Sequence, residues 1–253
     1  MLKDIVKEAG EILKYGYFHK KKVNFKSEID LVTEYDVKIE KFLKDRLSKI
    51  YPDYEIVAEE SFKGSSIPKK AIFIDPIDGT TNFVHSIAYV CISIGIYIDS
   101  KPVEGIVYNP ILNELFWAKK DVGAFLNDER IFVNNSKDLI SSLIATGFPY
   151  TKIKRGKDYR WVIDTMANLL PFTRDIRRLG SAAIDLSYVA CGRFAGFYEV
   201  NLKPWDVAAG ILLVEEAGGK VTNHLGNEYK FGDIIVASNG IIHKELIDKM
   251  ASY

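Results

Sequence analysis

AIFIDPIDGTTN, residues 71–82, decides how the rest of the chain is read. Ala71 to Ile74 is apolar throughout and predicts a buried strand. Asp75 and Asp78 follow at a spacing of three, with Pro76 and Ile77 between them. Gly79 permits a tight turn, and Thr80, Thr81 and Asn82 are residues that start helices. Two carboxylates at a strand end offer hard oxygen donors to a cation. Backbone N–H groups at a turn or helix start attract an anion. Set within a few residues of each other, they suit a phosphate that carries a metal. The plainer reading is an Asp-Pro turn followed by a threonine cap, and for an isolated D-x-x-D that reading is the better one.

Outward from this stretch, two further acidic positions have the same character. Glu55 to Ala58 predicts a short strand that also ends in acid, Glu59 and Glu60. Asp206 opens a predicted helix, Val207 to Ala217, within KPWDVAAG, residues 203–210. Taken singly, Asp206 is a helix cap, Glu59-Glu60 a solvated strand end and Trp205 a packing residue. Together they are oxygen ligands from separate loops, which is what clustered Mg²⁺ ions require. Four histidines and two cysteines in 253 residues argue against zinc.

Thirty-four basic and 34 acidic residues cancel, so no global charge points to nucleic acid or an anionic membrane. Apolar content of 47% supports a sizeable core. Cys91 and Cys191 lie in apolar segments and read as reduced thiols in a cytosolic setting. The nearly apolar run from Ile87 to Ile98 is far shorter than the ~20 residues of a membrane helix. Lys3, Asp4, Lys7 and Glu8 argue against a signal peptide.

Helical spacing of Leu2, Ile5, Val6, Ala9, Ile12 and Leu13 predicts a first helix over 2–18. His19 to Lys26 reads as a basic loop. Thr33 and Asp36 form a capping box for a second helix striped by Ile39, Leu43 and Leu47 and ended by Pro52. Residues 61–70 read as a surface loop. Strands over 89–98, 105–108, 114–118 and 123–126 predict an antiparallel meander. A strand at 143–146, a basic loop over 147–157, and helices at 161–170, 182–190 and 207–217 follow. Strands at 175–178, 193–200, 220–222 and 234–237 intervene, and a last helix starts at Ile241. Strands that first cluster and then alternate with helices predict layered α and β structure.

The string Asp75 to Asn82, with Glu59 in AEES and with WDVAAG at 205–210, resembles the inositol monophosphatase family of Mg-dependent, lithium-sensitive phosphatases. Lys26 and the segment Asp30 to Thr33 followed by Asp36 resemble that family as well, as do Gly180-Ser181-Ala182-Ala183 and Glu199. The resemblance spans essentially the whole chain. It implies an α+β fold, a layered α/β/α/β/α sandwich shared with fructose-1,6-bisphosphatases. The chain would form a single catalytic domain over 1–253, its two packed halves dividing near 140–150. The implied activity is Mg²⁺-dependent hydrolysis of a phosphate monoester, first inositol 1-phosphate, with fructose 1,6-bisphosphate the runner-up and a nucleotide 3′-phosphatase third.

The resemblance also implies roles. One Mg²⁺ would bind Glu59, Asp75 and the Ile77 carbonyl, a second Asp75, Asp78 and Asp206, and a third Glu59 and waters. Asp36 and Thr80 would orient a metal-bound water for direct attack, with Glu59 also counted in the catalytic set. Gly79, Thr80, Gly180, Ser181, Ala182, Glu199 and Asp206 would contact substrate, and Lys26 would sit in a metal loop. The expected partner is a small phosphorylated polyol, with no nucleic acid and no membrane, and the expected state a cytoplasmic homodimer. A catalytically dead binding protein would have lost a metal acid, and none is lost here. Two departures stand out: the gap from Lys26 to Asp30 is one residue shorter than in animal enzymes, and Ala195 replaces an acid common in bacterial relatives.

Overall fold

The computed structural model describes residues 1–29, 31–64 and 66–253, so Asp30 and Ser65, both in stretches singled out above, lie outside the described residues. The amphipathic spacing at the N-terminus produces helix α1 (Leu2–Phe18), and the Thr33–Asp36 capping box opens α2 (Glu34–Ile50). Between them the expected loop contains a strand. β1 (Val23–Phe25) pairs antiparallel with β2 (Leu31–Thr33), Val23 opposite Thr33. The pair is three residues long and half exposed, too short for alternation to show in sequence.

α1 and α2 cover one face of a seven-stranded sheet. Its strands are β3 (Glu55–Ala58), β4 (Lys70–Asp78), β5 (Cys91–Ile98), β6 (Lys101–Asn109), β7 (Glu114–Lys119), β8 (Gly123–Leu126) and β9 (Glu129–Ile131), adjacent in that order. β3 runs parallel to β4 and every later pair is antiparallel, which is the expected meander extended by one strand. β4 does not stop at Ile74 as expected but continues through both acids. Asp75 faces Ser93 and Asp78 faces Cys91, three steps on one strand against two on the other. The bulge accommodates Pro76, which has no N–H to give the ladder. A five-residue helix, α3 (Thr80–Val84), follows at once.

A second sheet has five strands: β10 (Leu143–Thr146), β11 (Asp175–Arg177), β12 (Gly196–Glu199), β13 (Lys220–Asn223) and β14 (Ile235–Ser238). Their spatial order is β11-β10-β12-β14-β13. Within the expected basic loop, Tyr150–Lys154 coils into a 3₁₀ turn before helix α4 (Lys157–Leu169). Helices α5 (Ala182–Ala190) and α6 (Pro204–Glu216) lie between the two sheets, while α4 and α7 (His243–Asp248) cover the far face of the second. The layers therefore alternate α/β/α/β/α. α6 starts three residues earlier than expected because Pro204 is well placed at the first helical position.

Three large apolar cores, and a smaller one where Val57, Phe73 and Tyr97 meet Ala208 of α6, fill the gaps between layers. Leu13, Ile39, Leu43 and Leu47 of the first helical pair meet Ile72 and Ile74 of β4. Val207, Leu213 and Val214 of α6 meet Val107 and Phe116 on one side and Phe197 and Ile235 on the other. Trp161, Tyr198 and Leu246 pack beyond the second sheet. Truncating one such side chain, Leu43→Ala for instance, costs about 2–5 kcal/mol.

Candidate active site

The acid-bearing end of β4 is where the layers converge. Gly79 takes φ 91°, and a Cβ there would come within 2.8 Å of the Tyr89 carbonyl oxygen, so the turn between β4 and α3 admits only glycine. The turn throws Thr80 back toward α2. Thr80 Oγ1 lies 3.1 Å from Asp36 Oδ1 and 3.0 Å from the Ile77 carbonyl. Asp36 is fully buried, and its other oxygen accepts from the Thr33 N–H at 2.8 Å and the Thr33 hydroxyl at 2.5 Å. Burial pushes its carboxyl up to about 6, against the pull of the Thr33 and Thr80 hydrogen bonds.

Asp75 is buried and takes the Ile77 N–H at 3.1 Å. Burial, then the charges of Glu59, Asp78 and Asp206, push its carboxyl well above the carboxylate range. That mutual repulsion places four expected ligands in one electrostatic cluster. Asp78 Oδ2 accepts from the Ser181 hydroxyl at 2.8 Å and the Ala183 N–H at 2.6 Å. These bonds partly offset the burial that pushes the Asp78 carboxyl up to about 6. Asp206 is not the helix cap. It is the third residue of α6, and its Oδ2 accepts from the Lys203 N–H at 2.6 Å. One edge of it reaches solvent, yet burial and the charges of Glu59 and Asp78 push its carboxyl well up.

Glu59 sits just beyond β3, its N–H bonded to the Ile74 carbonyl at 3.1 Å. Lys26 reaches in from beyond β1, its ammonium 2.8 Å from Glu59 and 2.7 Å from Glu60. Burial opposes that charge, but the two glutamates overcome it and hold Lys26 protonated. Among the described residues, no three His, Cys, Asp or Glu side chains stand as a ready-made metal cage. The side chains account for this: Asp78 and Asp206 each turn an oxygen to protein N–H groups, and an ammonium bridges Glu59 and Glu60.

The opposite wall comes from the second sheet and α5. Asn82 donates to the Tyr89 and Leu179 carbonyls, both at 2.8 Å, and so ties the 71–82 stretch to the turn at 179–181. Gly180 forms that turn, Ser181 caps α5, and Ala182 begins it. Glu199, at the end of β12, is buried. Burial pushes its carboxyl up to about 8, while Arg178 opposes the shift and Asp78 adds to it. Its oxygens lie against Gly147, where a Cβ would stand 1.9 Å from Oε1. The structure thus brings Asp36, Glu59, Asp75, Ile77, Asp78, Gly79, Thr80, Gly180, Ser181, Ala182, Glu199, Asp206 and Lys26 to one region.

Several residues there have no counterpart in the motifs. Asp185 on α5 is buried with Oδ1 unpartnered, and its carboxyl is pushed well up by burial and by Glu199. Arg178 lies over the Phe148 ring, 5.3 Å from its centre. Glu40 and Lys44 follow Asp36 at intervals of four on α2. That polar stripe beside Ile39, Leu43 and Leu47 was the available signal. A cleft of about 620 Å³ lined by Tyr97, Leu212 and Phe231 lies apart from these carboxylates, none of which lines it.

Residues 1–253 match the Inositol monophosphatase family. The chain is 40% identical over 235 residues to Inositol monophosphatase 2 of Solanum lycopersicum, covering 89% of this chain and 87% of that one. It is 39% identical over 249 residues to the Nus factor SuhB of Pasteurella multocida, covering 96% and 92%. The crystal structure of the extragenic suppressor protein suhB from Bartonella henselae superposes with a TM-score of 0.91 at 38% identity, covering 98% of this chain and 96% of that one.

Proposed function

The chain belongs to the inositol monophosphatase family and is a metal-dependent phosphatase of phosphoric monoesters, and we propose that its substrate is inositol 1-phosphate and its metal Mg²⁺. The observation that carries this reading is the cluster of carboxylates at the end of β4, where buried Asp75 and Asp78 face Glu59 and Asp206 and raise one another's carboxyls. Buried carboxylates that repel one another are stabilised by a cation, and the Lys26 ammonium between Glu59 and Glu60 marks a position that already favours one. Carboxylates with the Ile77 carbonyl form a hard-oxygen donor set, which fits Mg²⁺.

Glu59, Asp75 and the Ile77 carbonyl would hold one ion, Asp75, Asp78 and Asp206 a second, and Glu59 with waters a third. When bound, these ions supply charge stabilisation to the attacking and leaving oxygens. Thr80 and Asp36 handle the proton. A water hydrogen-bonded to Thr80 Oγ1 passes its proton through that hydroxyl to Asp36 Oδ1, 3.1 Å away. The Gly79 and Thr80 N–H groups hold phosphate oxygens through attack. No side chain forms a bond to phosphorus. Glu199 accepts hydrogen bonds from the hydroxyls of the leaving alcohol, with Gly180, Ser181 and Ala182 lining its path.

A second reading is fructose 1,6-bisphosphate. Arg178, lying over Phe148, opposes the burial-driven rise of the Glu199 carboxyl and puts a cation on the side proposed for the leaving group, where it suits a second phosphate. A cytosolic homodimer with lithium-sensitive activity completes the reading. The free thiols Cys91 and Cys191 and the exposed Leu170 and Phe172 are consistent with the compartment and the dimer.

Phosphate release with Mg²⁺ over inositol 1-phosphate, fructose 1,6-bisphosphate and adenosine 3′,5′-bisphosphate tests the assignment. The first ester should give the highest kcat/KM, and excess chelator should abolish turnover. Preference for the second ester would promote the alternative, and full turnover in chelator would sink the metal.

A further inference from the structure

Glu59 is the one expected ligand placed by a turn rather than by a strand or helix. Ala58 accepts from the Ser61 and Phe62 N–H groups, which closes the turn over 58–62. The Glu59 N–H is held by Ile74. The next peptide N–H, that of Glu60, points away from the sheet toward α2, where Glu40 Oε2 accepts it at 2.8 Å. Glu40 is 4% exposed, so the acceptor end of this half-buried bond lies in the interior. One turn further along α2, the Lys44 ammonium donates to the Ser61 hydroxyl at 2.7 Å and stands 3.9 Å from Glu40 Oε1.

Asp36, Glu40 and Lys44 are spaced by four and therefore share one face of the helix. The first meets Thr80, and the other two meet the turn that carries Glu59. One helix face thus contacts both acid-bearing turns. We propose that Glu40 is a positioning residue for metal binding. By accepting the Glu60 N–H, it fixes the peptide plane between Glu59 and Glu60 and so aims the Glu59 carboxylate. This inference rests on the reading of Glu59 as a ligand.

Without Glu40 as acceptor, the half-buried Glu60 N–H loses its partner, the turn rotates toward water to satisfy it, and Glu59 turns with it. Partners that orient metal ligands typically matter about 10–100-fold in metal affinity. The test is calorimetric titration of Mg²⁺ into the substrate-free protein, with melting curves and the Mg²⁺ dependence of turnover alongside. Glu40→Ala should weaken Mg²⁺ binding by about 10–100-fold. Glu40→Asp, one methylene short of the N–H, should weaken it similarly. Glu40→Gln keeps a carbonyl oxygen in place and should bind within about threefold of wild type.

An Ala variant and an Asp variant that both bind like wild type overturn the proposal. So does a Gln variant as impaired as Ala, which would assign the effect to charge. If the Ala variant fails to fold, the Asp–Gln pair decides. A variant that melts lower with unchanged Mg²⁺ affinity assigns Glu40 to stability alone and also overturns it. A wild type that takes up no Mg²⁺ overturns the metal reading itself, and the positioning role falls with it.

Discussion

The two walls of the site are built differently. On the first, three acids have local anchors, Thr33 beside Asp36, Ile77 beside Asp75 and a hydrogen-bonded turn around Glu59, while Asp78 is held from α5 by Ser181 and Ala183. On the second, Glu199, Asp185 and Arg178 come from a strand, a helix and a loop. What joins them is burial and charge, with Asp185 Oδ1 left unpartnered. The first wall is thus held by directed hydrogen bonds. The second is shaped mainly by packing, as at Gly147 under Glu199, and under the proposed function it is the wall that would face the leaving alcohol.

The sharpest break in this comparison is Asp78→Asn. The amide keeps the size and one acceptor for Ser181 and Ala183, but removes charge from the first wall. Turnover of every ester should fall by roughly 10²-fold or more, the scale of losing one preorganised electrostatic contact. Circular dichroism should stay unchanged, and a near wild-type rate would return Asp78 to the role of a turn residue.

Thr80→Ala removes the hydroxyl 3.1 Å from Asp36 and should lower kcat about 10- to 100-fold with KM little changed. Steady-state kinetics in saturating Mg²⁺ decide it, and an unaltered kcat takes Thr80 out of proton handling.

Changes on the second wall should discriminate between esters. Glu199→Gln should lower kcat/KM for inositol 1-phosphate relative to p-nitrophenyl phosphate by a factor worth about 1–3 kcal/mol. Gly147→Ala should shift the ratio the same way, because its Cβ would occupy the space of the Glu199 carboxylate. Equal losses on both esters would show that this wall does not select the alcohol.

The effect that leaves turnover untouched concerns a polar group outside both walls. His243 is buried between the Thr222 and Ser238 hydroxyls, each 2.8 Å from a ring nitrogen. Burial, aided by Lys220, holds its pKa down at about 4. The unfolded chain takes up that proton near 6.5, so stability is full above that pH and is lost as pH falls toward 4. Wild type should lose about 2 kcal/mol more than His243→Gln between pH 7 and 4.5, read from urea midpoints, with activity at pH 7.5 unchanged. Parallel pH curves would refute the assignment.

The same contrast explains what could be read from the sequence. α1, α2 with its capping box, the meander and the 71–82 stretch all carry short-range signals; the helices stand where they were expected, the meander gains one strand, and the strand in 71–82 runs four residues further than Ile74. The clustering of acids at the end of β4 was legible because Asp75 to Thr80 are contiguous. β1 was hidden because three half-exposed residues leave no periodicity, and β9 because it is only Glu129–Ile131. Pro76 argued against a strand that in fact continues through it by way of a bulge. Glu40, Asp185 and Arg178 were hard to read for another reason. Glu40 is bonded to Glu60, Arg178 lies over Phe148 and Asp185 faces Glu199, contacts made between elements, and the polar stripe on α2 marked Glu40 alone.

The placement of α6 between the two sheets has a consequence for biosynthesis. Val107, Phe116 and Ala118 of the seven-stranded sheet lie in the same apolar core as Val207, Leu213 and Val214 of a helix that begins at Pro204. A ribosome making the chain in order releases that sheet long before its cover. The nascent sheet therefore waits with a greasy face exposed, the condition in which partly made proteins stick to one another and engage chaperones. Asp206 arrives on that same helix, so the last expected metal ligand and the cover of the first sheet are delivered in one stroke.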